Sequence, residues 1–442
     1  MPFAARTRRR SEIMDTMPID SPATPVVSER QRWQTFALCV MGWMFDHYDL
    51  MLFVYVARAI GKEWEWGEDH NQNAAFLVGI ALFTSGIGGV VFGGLADRFG
   101  RRRVMGWTIL IYSLSTGLSG LAGGLVSLAI FRALTGFGFG GEWATGHALL
   151  AEIFPNHRRG VASALLQAGQ PVGAILAILT GLWLEPYIGW RWVFLIGAAP
   201  AVLVIFLRRL VPESPLWLAQ QGRARPSFVE QYTVLFRDHW RRVLQGLVLG
   251  GTKLGTFWLT FTWLPEYFVE LERKQAATAG GTPADYDDMK RQMQLGAQIA
   301  LFFGMLLFGP IADRFGRRPA FTVYSLLTAA GLLALAFFGP EMLANRGWFW
   351  LAIGAVGLGS GCTAGFGALL AELFPTSIRN TAMGTVYNVS RSFQVLTIGL
   401  MVVIATKADV ATGLLLAAAF AFVTASWVWT LPETRGIALR ND

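Results

Sequence analysis

The sequence predicts an all-α membrane protein with twelve transmembrane helices in two pseudo-symmetric six-helix bundles. Three observations predict it. The 442-residue chain is 53% hydrophobic and only 15% charged, which is far too apolar for a soluble domain of that length. The string GLADRFGRRR at 94–103 returns as PIADRFGRRP at 310–319, each copy lying between two apolar stretches. LLAEIFPNHRRG at 149–160 returns as LLAELFPTSIRN at 369–380, and VPESP at 211–215 as LPETR at 431–435. Three echoes in one order and at nearly one separation mark an internal duplication. Two such repeats around a mid-membrane site are a transporter architecture.

The elements follow in order. Residues 1–31 form a tail with Arg6, Arg8, Arg9 and Arg10 and no apolar core of a secretory signal. The first bundle, 32–210, holds spans at 33–57, 74–96, 104–124, 126–151, 160–184 and 190–210. Each is an apolar run of about 20 residues, the length a helix needs to cross a hydrocarbon core where only helices and closed barrels satisfy the backbone. A Pro-, Gly- and Arg-rich linker occupies 211–241. The second bundle, 242–431, holds spans at 242–269, 293–313, 319–338, 348–372, 380–404 and 409–430, and 432–442 is a second tail.

A net charge of +8 would suggest nucleic acid in a soluble protein. With the N-terminus inside, about 25 Lys and Arg fall in cytoplasmic segments against about 9 outside, the asymmetry that orients membrane proteins. The surplus therefore sets orientation, and no nucleic-acid role is expected. Cys39 and Cys362 lie in spans of different halves, so packing is expected rather than a disulfide or metal site. Trp64, Trp66, Trp190, Trp192, Trp348 and Trp350 sit at outer boundaries and read as interface anchors. Residues 270–292 read as an acidic external loop, either disordered or a lid.

GGLADRFGRRR, the R-x-x-x-G of Arg132 to Gly136, the E-x-x-x-x-x-R of Glu152 to Arg158, and the PESP and PETRG strings together resemble the major facilitator superfamily over essentially the whole chain. FDHYDL at 45–50 is similar to the D-x-[YF]-D of organic-acid:proton symporters, with His47 where the aromatic-acid branch usually has Gly. GFGFGGEWATG at 136–146 resembles the fourth helix of sialate and metabolite:proton branches. The resemblance implies an acid on helix one and an Arg on helix four coupled to protons, for which Asp46 and Arg132 are the matching positions.

An ionisable side chain in the membrane costs about 2.5 to 3.5 kcal/mol on insertion scales and needs a partner, a cavity or a function. Asp46, Asp49, Arg132 and Glu142 occupy the first half, Lys253 and Arg391 the second. Counting about 1.5 Å per residue puts Asp46 and Arg132 at one depth, as a pair whose separation would admit a proton. Asp49, one turn away on the same face, could titrate instead, and a purely structural ion pair is the plain alternative. When the two LLAE strings are laid on each other, Arg132 and Glu142 have Ala352 and Cys362 as counterparts, so the proton machinery is expected in the first half alone. Lys253 and Arg391 reach mid-membrane, where two cations would hold a carboxylate. Tyr48, Trp143, His147, Gln167, Gln170, Trp258, Tyr387 and Asn388 could complete that site or serve packing.

At the inner ends, Asp97, Arg98, Arg101 and Arg102 and their repeats Asp313, Arg314, Arg317 and Arg318 are expected to form a cytoplasmic gate. The resemblance to the superfamily implies Glu152, Arg158, Glu372, Arg379, Glu213 and Glu433 as their partners, paired when the transporter opens outward. Topology alone would require neither Asp97 nor Gly100. The glycines of helix four should admit close neighbours. No nucleophile, metal or cofactor constellation is present, so no catalytic residue, metal or cofactor is expected and energy should come from an ion gradient.

The expectation is a monomeric carrier in the bacterial inner membrane, both termini cytoplasmic, importing a small organic anion with protons by alternating access. A proton-coupled exporter of drugs or metabolites is the nearest alternative, since only GQPVG at 169–173 approaches the antiporter signature of helix five. A non-transporting sensor of the same fold is a further one.

Overall fold

The computed structural model describes residues 27–220, 226–279, 286–397, 399–400, 410–437 and 439. Among the described residues the chain forms twelve helical rods. The first bundle holds α1 (Glu29–Glu63), α2 (His70–Phe99), α3 (Arg101–Ser119), α4 (Leu125–Ile153), α5 (Arg159–Gln167 continued by Gly169–Ile178) and α6 (Trp190–Ile196 and Leu203–Leu210). The second holds α7 (Trp240–Ala279), α8 (Tyr286–Phe315), α9 (Arg317–Ala344), α10 (Arg346–Ser360 running through a 3-10 turn into Phe366–Leu373), α11 (Arg379–Ser392) and α12 (Val410–Trp427). Seven of the described helices, α1, α2, α5, α8, α9, α10 and α12, are long and apolar enough to cross a membrane by length and composition. The remaining rods are broken, as α6 is, or rich in Gly, Ser, Thr and ionisable residues.

Local chemistry sets the ends. Ser28 and Gln31 cap α1 reciprocally, which starts that helix at the end of the basic tail. The α2–α3 and α8–α9 turns pivot on Gly100 (φ 99°) and Gly316 (φ 106°), a backbone region open to glycine. A Cβ at either would also strike a carboxylate, Glu213 or Glu433. These two acids accept the first backbone amides of the next helix. Glu213 Oε1 takes Arg101 N at 2.9 Å, and Glu433 Oε1 takes Arg317 N at 2.8 Å. A carboxylate there complements the positive helix end. The PESP and PETR acids thus bind backbone amides where side-chain pairing was expected.

Four of the five helix-four glycines act as expected, whereas at Gly146 a Cβ would meet nothing nearer than 3.9 Å. Gly136 and Gly140 seat α4 against the α2 backbone, and Gly138 and Gly141 seat it against Tyr112 and Thr108 of α3. Between the bundles, Gly89 and Gly93 of α2 leave room for the backbone of Gly384 and Asn380 on α11.

Three expectations change. Much of 270–292 is helical, because α7 and α8 extend to Ala279 and from Tyr286; residues 280–285 and any lid there lie outside the described residues, as do most of the tail 1–31, residues 398 and 401–404 of span 380–404, and residues 438 and 440–442 of the final tail. The linker carries two short helices, Pro215–Ala219 and Phe228–Asp238, docked on the inner ends. Trp217 Nε1 donates to Asp97 O at 2.9 Å and Tyr232 Oη to Val90 O at 2.6 Å. Finally, Trp66 and Trp190 are buried, and Trp190 Nε1 donates to Glu63 at 2.7 Å; they pack the bundle, whereas Trp192 and Trp348 stand exposed.

Candidate functional site

A small cavity lies between the bundles, lined by Trp43, His47 and Leu50 of α1, Gln170 of α5, Leu254, Phe257 and Trp258 of α7, and Tyr387 and Arg391 of α11. Its volume is about 20 Å³, room for a water molecule and for nothing larger.

Four of the expected site residues, Arg391, Gln170, Tyr387 and Trp258, face this cavity. The others take different places. Gln167 lies beneath it, accepting from Trp143 Nε1 at 3.1 Å, meeting His147 Nε2 at 3.1 Å and donating to Gln170 Oε1 at 2.8 Å. Trp143 stacks on Tyr387 with centroids 3.6 Å apart and planes 6° from parallel. His147 passes the chain on to Ser163 Oγ at 3.4 Å, and Ser163 bridges to α10 by donating to Ala364 O at 2.9 Å and accepting from Ala368 N at 3.1 Å. A polar chain thus runs from the cavity floor to a contact between the bundles. Asn388 spends its amide on Gly140 O at 2.7 Å and is an inter-bundle strut. Tyr48 packs in the outer apolar cluster with Leu52 and Phe53. Lys253 is buried with no hydrogen-bond partner for Nζ, and it is not among the residues lining the cavity.

The acid–base pairing departs from expectation. Arg132 Nη1 binds Asp49 Oδ2 at 2.8 Å, not Asp46, and its guanidinium lies 5.2 Å from the Phe53 ring centroid. Asp46 instead faces Arg391 of the second bundle at 3.9 Å, and neither of its oxygens has a hydrogen bond. The reason is axial register. Asp49 is about 4.5 Å nearer the outer end of α1 than Asp46, level with an Arg on the outer part of α4. The charge system therefore spans both bundles and is not confined to the first. Glu142, also buried without a hydrogen bond, packs on Gly42, where a Cβ would lie 2.5 Å from Oε1. Positions 42, 46 and 49 share one face of α1, so the three carboxylates form a column along it.

The rod ends that carry the two D-R-F-G-R-R strings are joined by two pseudo-symmetric ion-pair clusters. In one, Arg101 meets Asp97 at 3.1 Å and Glu152 at 3.2 Å, and Arg379 reaches Glu152 from the other bundle at 2.7 Å. In the other, Arg317 meets Asp313 at 2.6 Å and Glu372 at 2.8 Å, and Arg159 reaches Glu372 across the interface at 3.3 Å. Arg159, not Arg158, joins this cluster; Arg158 is exposed on a 3-10 turn. The echo itself carried that signal, since LLAEIFPNHRRG laid on LLAELFPTSIRN without a gap sets Arg159 against Arg379. The two aspartates also cap helices of the opposite bundle: Asp97 Oδ2 accepts Thr381 N at 2.8 Å, and Asp313 Oδ2 accepts Val161 N at 3.0 Å. Arg102 donates to Val211 O at 3.1 Å and Arg318 to Leu431 O, bracing turns within each half. Arg98 and Arg314 are exposed, each beside the phenylalanine that follows it. Burial pushes the Glu433 carboxyl up, but the amides of Arg317, Arg318, Arg435 and Thr434 outweigh this and hold it below its ordinary value.

Trp43, His47, Leu50, Leu254 and Phe257 escaped the sequence reading. Positions 43, 47 and 50 recur with the helical period on α1, a signal that was available.

Twelve rods in two repeats, with buried charges facing each other between the bundles and an ion-pair cluster in each repeat, are the architecture of a membrane transporter. The family model of the Major Facilitator Superfamily matches residues 35–284 and 293–441, and the chain belongs to that superfamily; it is a multi-pass membrane transporter and not an enzyme. It is 32% identical over 423 residues, 93% of each chain, to a probable 4-methylmuconolactone transporter of Cupriavidus pinatubonensis. It is 30% identical to the cis,cis-muconate transport protein of Acinetobacter baylyi, covering 80% of this chain and 83% of that one. To the sialic acid transporter NanX of Escherichia coli it is 29% identical, covering 79% and 81%. Among solved structures, the proton:xylose symporter XylE bound to 6-bromo-6-deoxy-D-glucose superposes with a TM-score of 0.74 at 20% identity, over 92% of this chain and 97% of that one.

Proposed function

We propose that the protein imports a small organic anion together with protons, by alternating access around the cavity at Arg391, in a bacterial inner membrane with both termini cytoplasmic. The observation that carries this reading is the facing of Asp46 and Arg391 across the bundle interface at 3.9 Å. Asp49, Arg132, Glu142 and Lys253 are buried with them. Three acids and three bases balance to zero while all are ionised. A carboxylate substrate binding Arg391 takes the cation that faces Asp46 and adds one negative charge. A proton on Asp46 removes that charge, since an unpaired buried carboxylate is far costlier than a neutral acid. Anion binding and protonation are then one coupled event. Arg391 supplies the planar fork for a carboxylate, and the aromatic walls take the organic body. That relatives carry muconate, a muconolactone and sialic acid supports the organic-anion class.

Uptake in proteoliposomes tests it. A panel of carboxylates, sugars and cationic drugs is presented with an imposed pH gradient. A carboxylate should accumulate, and accumulation should collapse with a protonophore. Asp46→Asn should lose uphill uptake while keeping exchange of preloaded substrate. Full accumulation by that variant, or transport of neutral or cationic compounds alone, would overturn the proposal.

A further inference from the structure

The inner rim of the first bundle has a groove that the second bundle fills. Arg102, Arg103, Gly106, Trp107 and Leu110 of α3 and Val204 of α6 enclose about 480 Å³. Trp107 is 39% and Leu110 36% exposed, so the groove opens sideways toward lipid. Arg103 is exposed and has no ion-pair partner among the described residues.

The internal repeat supplies the comparison. Laying GLADRFGRRR on PIADRFGRRP and reading onward carries Arg102 to Arg318, Arg103 to Pro319, Gly106 to Thr322 and Trp107 to Val323. There the indole of Trp429 occupies the corresponding place, donating to Thr322 Oγ1 at 2.9 Å, with its centroid 5.8 Å from the Arg318 guanidinium. With VPESP laid on LPETR, the counterpart of Trp429 is Arg209 on α6, which is exposed. The first bundle has therefore exchanged a tryptophan plug and a proline for two arginines, and a threonine for glycine. The result is an open hollow that has gained Arg103 beside Arg102 and is walled by Trp107, Leu110 and Val204.

We propose that this groove binds an anionic glycerophospholipid, its phosphate held by Arg102 and Arg103 and an acyl chain laid along Trp107 and Leu110. Basic pockets between helices at this depth suit phosphate headgroups, and two added arginines disfavour the ammonium of a zwitterionic lipid. Arg102 N also bonds Glu213 at 3.3 Å, so a lipid here bears on the turn that carries the gate residue Arg101.

Native mass spectrometry of the full-length protein in detergent reads the site directly, with phosphatidylglycerol, phosphatidylcholine or inorganic phosphate added. Phosphatidylglycerol should be retained in preference to phosphatidylcholine. Arg103→Gln should weaken it about fivefold, the worth of one basic residue near an anionic headgroup, and Val204→Trp, which refills the hollow, should displace it. Arg241→Gln is the matched control, an exposed arginine 5.5 Å from the Trp240 ring centroid, and should change nothing. Equal retention of both lipids, equal loss in Arg241→Gln, or full competition by inorganic phosphate would overturn the assignment.

Discussion

Replacing Arg379 by methionine removes one of the two arginine bridges across the inner gate. Arg379 is fully buried and meets Glu152 at 2.7 Å. Glu152 would keep Arg101 at 3.2 Å, so it is not left bare, and the full penalty for an abandoned buried charge does not apply. Across the bundle interface one charged hydrogen bond is lost, worth about 1.5 to 3 kcal/mol; the bond from Arg379 Nε to Ala371 O at 3.0 Å lies within the second bundle and is lost whether the rod ends touch or part. Because the interface bond exists only while the inner ends touch, its loss falls on the inward-closed state. The ratio of inward-open to inward-closed molecules should rise roughly 10- to 150-fold. Spin labels at Phe99 and Phe315, exposed and pseudo-equivalent on the two bundles, would read this as a longer cytoplasmic distance. Glu152→Gln in the same background should add less than it does alone, as residues sharing one network are not additive. An unchanged distance distribution in Arg379→Met, or strict additivity of the pair, would refute the view that this bridge holds the gate shut.

Three further outcomes are expected. Ser163→Ala leaves Ala364 O and Ala368 N without their side-chain partner, so the same label pair should move in the same direction, by about 1 to 3 kcal/mol. Gly42→Ala places a Cβ 2.5 Å from Glu142 Oε1 and should cost about 1 to 3 kcal/mol of thermal stability, a loss that an added Glu142→Ala should largely relieve. The Glu433 carboxyl is held below its ordinary value, so its contribution is present above the unfolded value of about 4.3 and is lost as pH falls through the lower folded value. Glu433→Gln should therefore lower the melting temperature at neutral pH and match the parent protein once both are acidified below that window.

Much of this protein is legible in one dimension because the bilayer imposes one-dimensional rules. A span must be apolar and about 20 residues long; seven of the twelve rods meet that rule outright, and the internal repeat supplies the expectation for the rest. Duplication repeats D-R-F-G-R-R and the helix-end acids, so the existence and symmetry of the two ion-pair clusters can be read too. Even Arg159 was recoverable, by holding the two LLAE strings in one unbroken register.

Partnership was decided elsewhere. Asp46 and Asp49 share a helical face, and nothing along the chain says that Arg132 takes the outer one while Arg391, from the other bundle, faces the inner. That choice depends on the relative height and rotation of α1, α4 and α11, which follow from close packing of α2 on α11 at Gly89 and Gly93, of α4 on α2 at Gly140 and of α1 on α4 at Gly42. The same packing withdrew Tyr48, Asn388 and Lys253 from the cavity and brought Trp43 and His47 into it. Sequence by itself determined which residues lie in the membrane and at its inner edge, because hydropathy and repetition are local. Only the tertiary structure decided which charges meet, because a hydrogen bond between helices tolerates far less error than a count of residues along each one can supply.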